Sequence, residues 1–444
     1  MMRICFIVVF FLVSSVFSNL FAAEVLTLEE AYRLAMTRNE QIGIAREGLS
    51  QAEKEIDRAK SFLYPRLSTD AGYLRRPDPI LSGGFGVLRP ESQKQFNITF
   101  EQPLYTGGRA TAAYRGAKLG LKGEALALNL TTENLLFQVA QAYYEALKAL
   151  KNTEIEKNEV ARLEAHLKDA QNRLRVGEVT KTVVLRAEAE LADARARLIR
   201  AENNQAITKD QLAFLVNSDG EFDLTEPPSL ALSERSESEW IETARDRRGD
   251  LRRQTAEIEI AKERINVAKG NFYPSLNLEA QYNWIDPNPQ SAFFITNDRF
   301  AIIKLSFPLF EGKIRVAELN QSKSRHRQAI LQKELLSDRI AVEVRRARFD
   351  LAALTAQLDV LRAQVAFARE NFTLVSRQFA VGLATNIDVL DANAVLISAE
   401  RQLSNTTYDR ETAILELEKS SGVFLDLLPA AVKGEDREKQ TQSK

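Results

Sequence analysis

The sequence predicts a mainly α-helical fold with a smaller β part, built from two copies of one unit. Three observations predict it. Motifs of the chain recur at a fixed spacing, which indicates an internal duplication. Each copy contains a very long segment with helical periodicity and no proline, and two short segments in which apolar and polar residues alternate. The helical segments predict long helices, and the alternating segments predict strands.

The internal repeat spans nearly the whole chain. Motifs in the central half of each copy recur 205 residues apart, so this part aligns without a gap. The recurring motifs are Gln102–Gly107 with Phe307–Gly312, Leu174–Gly177 with Phe379–Gly382, Val184–Ala187 with Val389–Ala392, and, at another spacing, Tyr64-Pro65 with Tyr273-Pro274. We predict a first repeat over 24–218, a connector over 219–235 with Gly220, Pro227 and Pro228, a second repeat over 236–424 and a disordered polar tail over 425–444.

Residues 1–23 are expected to be a secretory signal peptide. A basic start at Arg3 is followed by the apolar run Ile4–Phe17 and then by the small residues Ala22 and Ala23. The alternative is a permanent membrane anchor, because Ile4–Ala23 is just long enough to span a bilayer. Polar residues interrupt the run and favour the signal peptide, whose cleavage point stays open: Ser14, Ser15, Ser18 and Asn19.

The composition of the mature chain excludes several classes of protein. The only cysteine, Cys5, lies in the leader, so no disulfide and no cysteine metal site is expected. Loss of the leader removes one basic residue, Arg3, from the 60 present and leaves 59 against 61 acidic residues, a balance that gives no reason to propose a nucleic-acid partner. The mature chain also lacks a run of about 18 apolar residues, so we expect no transmembrane helix. An exported chain of this kind is then either soluble in the periplasm or a β-barrel, and the pattern of its predicted strands has to distinguish the two.

The long helices show a heptad pattern. From Arg109 to Arg175 and from Lys313 to Phe379 no proline interrupts the chain, so each segment can form a helix of roughly 100 Å. Apolar residues of the second segment are spaced alternately three and four apart, which is the pattern of a helix packed lengthwise against another. They are Leu351, Leu354, Leu358, Leu361, Val365, Ala368, Phe372, Val375 and Phe379.

Four segments have the period of strands: 66–76 and 95–103 in the first repeat, 275–285 and 299–307 in the second. In the third, every even-numbered residue from Leu276 to Trp284 is apolar or aromatic and every odd one is polar. Runs of about nine residues suit tilted strands that cross a bilayer. The alternative is an ordinary antiparallel sheet that covers a periplasmic core, and alternation alone leaves both open.

A membrane-spanning sheet must close, because lipid offers no hydrogen bonds to an open edge. Four strands are too few for a barrel, since small barrels need about eight. If the strands span the membrane, several protomers must therefore contribute to one barrel.

Residues suited to catalysis or metal binding are scarce. The two histidines, His166 and His326, lack a neighbouring cysteine or second histidine, so we expect surface or flank positions for both. Phosphate-binding glycine loops are missing, and Gly107-Gly108-Arg109 is too short to count as one. We expect no enzymatic activity and no cofactor.

The order of these motifs resembles the outer-membrane efflux protein family, the TolC-like channels. The signal peptide, the duplicated halves, Tyr-Pro before a strand, Pro-Leu-aromatic-x-Gly after the next, and the Val-Gly pairs carry the resemblance, most specifically in Val381–Ala392. It implies a homotrimer with a twelve-stranded barrel in outer-membrane lipid, four strands per subunit, above a tapering α-helical coiled-coil tunnel. It also implies a passive exit duct for efflux or type I secretion, which receives cargo from an inner-membrane pump through a periplasmic adaptor. The alternative is a periplasmic coiled-coil adaptor or scaffold protein, which has no need of lipid-facing strands.

The resemblance assigns adaptor contacts to two helix-turn-helix tips, at 176–180 and 381–385. A glycine can end a helix by adopting a left-handed conformation, and a threonine can cap the returning helix. The tip residues concerned are Val176, Gly177 and Thr180 in the first repeat and Val381, Gly382 and Thr385 in the second.

The resemblance also assigns a gate to the second tip. Asp388 and Asp391 match paired acids that ring a constriction, and Phe379 occupies the position of an aromatic residue. Spaced i, i+3, the two carboxylates share a helix face, and a trimer would gather six of them. The residues alone favour a helix cap made by Thr385 and Asp388. Two positions, Ala384 and Val183, depart from the family pattern, so the resemblance does not specify which contacts hold the closed state.

Overall fold

The computed structural model describes residues 24–82, 86–219, 222–230, 235–290 and 292–428. The predicted signal peptide, parts of the predicted connector and residues 429–444 of the predicted tail lie outside these ranges. Among the described residues, no helix combines the length and the apolar character needed to cross a membrane.

The two repeats contain the same elements in the same order: two shorter helices, a pair of sheet strands and two long helices. The first repeat contains β1 (Glu24–Leu26), α1 (Leu28–Arg38), α2 (Glu40–Ser61), β2 (Arg66–Arg75), β3 (Ile80–Ser82), β4 (Gly86–Arg89), β5 (Ser92–Tyr105), α3 (Arg109–Arg175) and α4 (Lys181–Val216). The remainder contains β6 (Phe222–Leu224), α5 (Glu237–Arg247), α6 (Gly249–Gly270), β7 (Ser275–Asn288), β8 (Asn297–Ser306), α7 (Ile314–Ala380), α8 (Asn386–Ser420) and a 3-10 helix (Phe424–Leu427).

Strands β2, β5, β7 and β8 form one antiparallel sheet in the order β2-β5-β7-β8. Each repeat contributes two neighbouring strands, and β5 and β7 join the repeats at the centre. These strands occupy the four predicted segments and differ by at most three residues at an end. A second hairpin, β3–β4, lies in the loop between β2 and β5.

The register of the sheet collects the apolar residues on one face. Phe96 lies opposite Ala71 on one neighbouring strand and opposite Trp284 on the other. Cross-strand partners share a face, so the alternation in the four strands adds up to one apolar surface. Leu67 is 71% exposed and Ile303 is 64% exposed. No described helix covers this surface, which disfavours a sheet that covers a core within the subunit.

The main cores lie halfway along the long helices. The larger one packs α3, from Leu135 to Leu147, against α1, the end of α4 and the α8 residues Tyr408 and Leu415. The second packs Trp240 of α5 against the middle of α7 and the end of α8. Residues from both repeats enter the larger core, which therefore joins the two repeats at this level, whereas the buried residues of the second core all come from the second repeat.

The carboxyl end of the chain extends the larger core. The predicted disordered tail begins too early, because residues 425–427 belong to the 3-10 helix and Leu428 is buried. Phe424 is fully buried, and its ring packs edge-on against Phe137 with centroids 5.8 Å apart. Apolar side chains at 424, 425, 427 and 428 explain the difference, since the polar composition begins only beyond them.

Beyond the cores, away from the sheet, the four long helices form one layer in the order α4–α3–α8–α7. Helix α3 packs against both α4 and α8, and α7 packs against α8. Helices α3 and α7 contain 67 residues each, or about 100 Å at 1.5 Å per residue. They run from the sheet, past the cores, to the two tips. Heptad positions of α7 are buried in this layer: Leu351, Leu358, Leu361, Val365 and Ala368.

Candidate gate and tip region

The two tips have the same backbone geometry. Gly177 and Gly382 adopt φ values of 77° and 79°, in the left-handed region where residues with a Cβ are strained. In each tip the residue after the glycine donates a backbone hydrogen bond to a carbonyl of the last helical turn: Glu178 to Arg173 at 2.9 Å and Leu383 to Gln378 at 2.8 Å. The glycines therefore end α3 and α7 in the way the sequence predicts.

The helices that return from the tips begin differently. Thr385 and Asp388 form a capping box: the Asp388 amide donates to Thr385 Oγ1 at 3.3 Å, and the Thr385 amide donates to Asp388 Oδ2 at 2.7 Å. Thr180 occupies the equivalent position before α4 but makes no side-chain cap bond. In the first tip, Val183 occupies the position that Asp388 has in the second, and the valine side chain cannot accept a hydrogen bond. Only the second tip is held by this reciprocal cap.

The two aspartates of the proposed gate lie on one exposed face of α8. Both side chains are exposed, one turn apart. Hydrogen bonds from Thr385 lower the pKa of Asp388 below its ordinary value. Asp391 has no hydrogen-bond or ion-pair partner within the described part of the chain. Capping leaves Asp388 charged and open to solvent, so a cap and a charged constriction are compatible roles for one residue.

Phe379 lies buried between the repeats. Its side chain is 7% exposed. The guanidinium carbon of Arg173, on α3, lies 4.7 Å from the ring centroid, and the His166 ring lies 5.6 Å away. Arg173 also donates to the carbonyls of Phe379 at 3.0 Å and Ala380 at 2.6 Å. A cation at the carboxyl end of a helix is favourable, so Arg173 fixes the end of α7 against α3.

Polar contacts continue along the seam between α3 and α8. His166 Nε2 lies 2.6 Å from Asn386 Oδ1, and Asn393 Nδ2 donates to Glu159 Oε1 at 2.6 Å. Further toward the cores, α3 and α8 are linked by Asn152 with Asn405 at 2.8 Å and by Lys148 with Asp409 at 3.0 Å. The contacts between the two hairpins on the tip side of the cores thus include a series of polar pairs, beside the apolar contact that Leu390 of α8 makes with the first hairpin.

Two glutamates of α3 lie at the centre of this seam. Glu156 is 3% exposed and Glu159 is 1% exposed. Arg197 of α4 and Arg401 of α8 contact Glu156 at 3.4 and 3.3 Å, and Arg162 contacts Glu159 at 3.1 Å. Buried carboxylates require such partners, because an unpaired buried charge is costly. The cluster joins helices of both repeats by directional contacts.

The contacts within each hairpin include apolar clusters as well as ion pairs. Leu163, Leu191 and Ala194 pack α3 against α4, and Val365 and Leu396 pack α7 against α8. Separation of the two hairpins would expose the polar pairs, which water can solvate, together with Leu390, whereas separation within a hairpin would expose the larger apolar surface. Each hairpin is therefore the more cohesive unit in this part of the molecule.

The tips present apolar side chains to solvent. Val176 and Val381 are each 70% exposed, and Leu383 is 80% exposed. Large exposed side chains at the end of a long helical hairpin form a small apolar surface that a partner could cover.

Sequence reasoning did not identify several residues of this region. His166 was expected to be a surface or flank residue, and Arg173 and Asn386 were not singled out. Each makes its contact across a sequence separation of more than 200 residues. The similar distances of Arg173 and Phe379 from their tip glycines, four and three residues, were the available signal. No cluster of potential metal ligands occurs among the residues that the structure describes.

Comparison with known proteins agrees with the geometry. The model of a family described as outer membrane efflux protein matches residues 31–218 and 240–423. TolC of Vibrio cholerae is 24% identical over 405 residues, which cover 89% of this chain and 91% of that protein. The alkaline protease secretion protein AprF of Pseudomonas aeruginosa is 24% identical over 421 residues, which cover 90% and 85%.

Solved structures share the fold. The outer membrane protein VceC of Vibrio cholerae superposes with a TM-score of 0.76 at 20% identity and covers 89% of this chain and 96% of its own. The family match spans both repeats and stops close to the predicted repeat boundaries. This chain therefore belongs to the outer membrane efflux protein family, whose members are channels of the outer membrane that extend into the periplasm.

Proposed function

We propose that this protein is the outer-membrane exit duct of a tripartite efflux or type I secretion system. Three copies form a twelve-stranded barrel in the outer membrane and a helical tunnel in the periplasm. An inner-membrane pump delivers cargo through a periplasmic adaptor, and the cargo then passes through the duct without a further source of energy.

The observation that carries this proposal is the uncovered, open-edged sheet. Its apolar face is matched across all four strands, and its outer strands β2 and β8 each have one unpaired edge. A lipid-facing sheet requires closure, and four strands cannot close alone. Copies of the same sheet, joined β8 to β2, supply the missing hydrogen bonds. This requirement also disfavours an adaptor or scaffold.

The exposed tips suit contact with an adaptor. Val176 and Val381 occupy equivalent positions, each beside a tip glycine, so one subunit offers two similar apolar ends. We assign adaptor contacts to these tips, with Gly177, Thr180, Gly382 and Thr385 shaping the turns.

The second tip suits a charged gate. In a trimer, Asp388 and Asp391 of three subunits would bring six carboxylates to one axis, where they would attract cations and repel one another. Phe379 would support the gate from behind, through its contact with α3, rather than line the constriction. The side chains of Arg173 and His166 supply closing contacts within the subunit.

The names of relatives fit more than one cargo. AprF is named for secretion of alkaline protease, and the family as a whole is named for efflux. Both uses need a wide passive duct that is loaded from the inner membrane.

Membrane fractionation and conductance measurements test the proposal. We expect a heat-resistant oligomer in the outer-membrane fraction and ion conductance in planar bilayers. A monomer that remains in the soluble periplasmic fraction, and that gives no conductance after purification, would rule out the duct.

A further inference from the structure

One charged side chain on the apolar face of the sheet has no counter-ion. The charged residues that the strand register places on this face are Arg75, Lys94, Asp286 and Arg299. Arg75 contacts Glu91 at 3.5 Å, and Lys94 contacts Asp286 at 3.7 Å. Arg299 is exposed, and it makes no hydrogen bond or ion pair with any residue that the structure describes.

Arg299 lies within the apolar part of this face, some way from the outer end of the strands, which is the end remote from the helices. Its cross-strand partner is Tyr282, and the pair Phe96–Trp284 lies one row nearer the outer end. Asp286 lies one row beyond that pair, so Arg299 is about 13 Å along the strand direction from the last charged row. A long arginine side chain can bend toward the headgroups, but its charge is costly in lipid without an anion.

The sheets of the proposed barrel offer no such anion. Strand β2 of the next copy would lie beside β8, and it has no acid among its residues on the apolar face: Leu67, Thr69, Ala71, Tyr73 and Arg75. Asp286 is the only acid on this face of the four strands, and it already contacts Lys94. The surroundings of this face are lipid in the proposed duct, so lipid is the source of the counter-ion that the arrangement favours.

An open groove on the same face lies next to Arg299. It has a volume of about 780 Å³, and its walls are mainly aromatic, with Tyr282, the cross-strand neighbour of Arg299, among them. The small side chain of Ala71, opposite Phe96, leaves room in the groove. Apolar and aromatic walls suit a hydrocarbon chain, because burial of apolar surface is favourable. The residues on this face that line the groove are Ala71, Tyr73, Lys94, Phe96, Tyr282 and Trp284.

We propose that Arg299 binds the phosphate of an outer-leaflet lipid whose acyl chain lies in this groove. The inference rests on the proposed position of the sheet in the outer membrane, and it adds the class of ligand and the residue that selects it. A guanidinium presents two parallel N–H donors to two phosphate oxygens, a geometry that lysine does not reproduce. Lys94 is partly neutralised by Asp286, so Arg299 is the residue that distinguishes a phosphorylated headgroup from a neutral one.

Native mass spectrometry of the detergent-purified oligomer tests the site. The probe is phosphatidylglycerol, compared with diacylglycerol of the same chain length and with inorganic phosphate. Arg299→Gln should weaken the binding of phosphatidylglycerol by about ten-fold, because hydrogen bonds to a charged group are lost. Arg299→Lys should restore only part of the affinity. The matched control is Lys304→Gln, which removes a positive charge from the same strand but on its opposite face.

A second variant tests the place of the acyl chain. Ala71→Leu adds volume to the groove and leaves every charge on the face unchanged. It should weaken the binding of both phosphatidylglycerol and diacylglycerol. Unchanged binding of both lipids would overturn the groove as the position of the chain.

The other outcomes decide the headgroup contact. Stronger binding of phosphatidylglycerol than of diacylglycerol, lost in Arg299→Gln and kept in Lys304→Gln, would support it. Equal binding of the two lipids by the unaltered protein, or equal effects of the two substitutions, would overturn it. Displacement of phosphatidylglycerol by an equal concentration of inorganic phosphate would indicate a site for a free anion and would overturn the lipid assignment.

Conductance in planar bilayers separates this inference from the proposed function. The unaltered protein and Arg299→Gln should conduct alike, because Arg299 lies on the face away from the lumen. Conductance that persists while the lipid results fail would leave the duct in place without this site. An unaltered protein that does not conduct would remove both.

Discussion

Replacement of Arg173 by alanine should loosen the end of α7. Arg173 makes two hydrogen bonds to carbonyls of α7 and one cation–π contact with Phe379, and its side chain is only 16% exposed. A hydrogen bond to a charged group contributes about 1.5–3 kcal/mol and a cation–π contact about 0.5–2 kcal/mol. These contributions overlap, so we expect a loss of about 2–3 kcal/mol, equivalent to about 30- to 150-fold in a local opening equilibrium.

Hydrogen exchange of the second tip measures this loss. The amides of Val381, Gly382 and Leu383 donate to the last turn of α7 and should lose protection by the same factor. The matched control is Arg175→Ala, because Arg175 bonds only to Asn172 of its own helix. A surface substitution of that kind should change protection by no more than about two-fold. Equal exchange in the two variants would refute the assignment of Arg173 as the residue that holds α7.

Three further variants, one of them a double substitution, test the cap, the gate and the ion pairs around Glu159. Thr385→Ala should destabilise the start of α8 by about 1 kcal/mol, measured by hydrogen exchange, whereas Thr180→Ala should have little effect because Thr180 makes no side-chain cap bond. Simultaneous Asp388→Ala and Asp391→Ala should raise or alter conductance and weaken block by multivalent cations, measured in planar bilayers. Glu159→Ala should destabilise the subunit by about 1–3 kcal/mol, measured by urea unfolding, because it removes the acceptor of the buried Asn393 side-chain amide and one of the two carboxylates that pair with Arg162.

An exposed ion pair provides the control for Glu159→Ala. Glu164 forms a half-exposed ion pair with Arg195, so Glu164→Ala should cost no more than about 1 kcal/mol. A similar cost for Glu164→Ala and Glu159→Ala would contradict the role given to burial. Unchanged conductance and unchanged block in the double aspartate variant would remove the gate and leave the fold as described.

The pH dependence of the cap has a definite sign. Hydrogen bonds from Thr385 lower the pKa of Asp388. The stabilisation that the carboxylate gives is therefore present above the ordinary aspartate pKa and is lost as pH falls through the lowered value. We expect the protection of the first turn of α8 to persist to about pH 4, near the ordinary pKa of aspartate. Loss of that protection already at pH 5 to 6 would contradict the cap.

The elements that depend on local periodicity could be predicted from the sequence. The alternation in Leu276–Trp284 and the heptads from Leu351 onward show which residues share one face of a strand or helix. Gly177 and Gly382, which can adopt a positive φ, mark the turns. Motif spacing also placed Asp388 and Asp391 on one helix face. These features require knowledge only of neighbours in the chain.

Contacts between the repeats could not be predicted in the same way. Phe379 belongs to the apolar heptad of α7, but its burial depends on Arg173 and His166 of the other hairpin. Glu156 and Glu159 look like ordinary charges of a solvated helix, and only the approach of α4 and α8 encloses them. The 3-10 helix at Phe424–Leu427 was missed because its apolar residues find their core at Phe137, far back in the chain.

The unbroken length of α3 and α7 has a mechanical consequence. Both helices pass the cores near their midpoints and continue for about 50 Å to the tips, at 1.5 Å per residue. The part of each helix between the cores and its tip therefore acts as a lever that turns about the cores. A rotation of only about 6° there would move a tip by about 5 Å over this length. Small repacking among residues such as Leu147 and Tyr408 would thus be amplified into a displacement as large as a side chain at the far end.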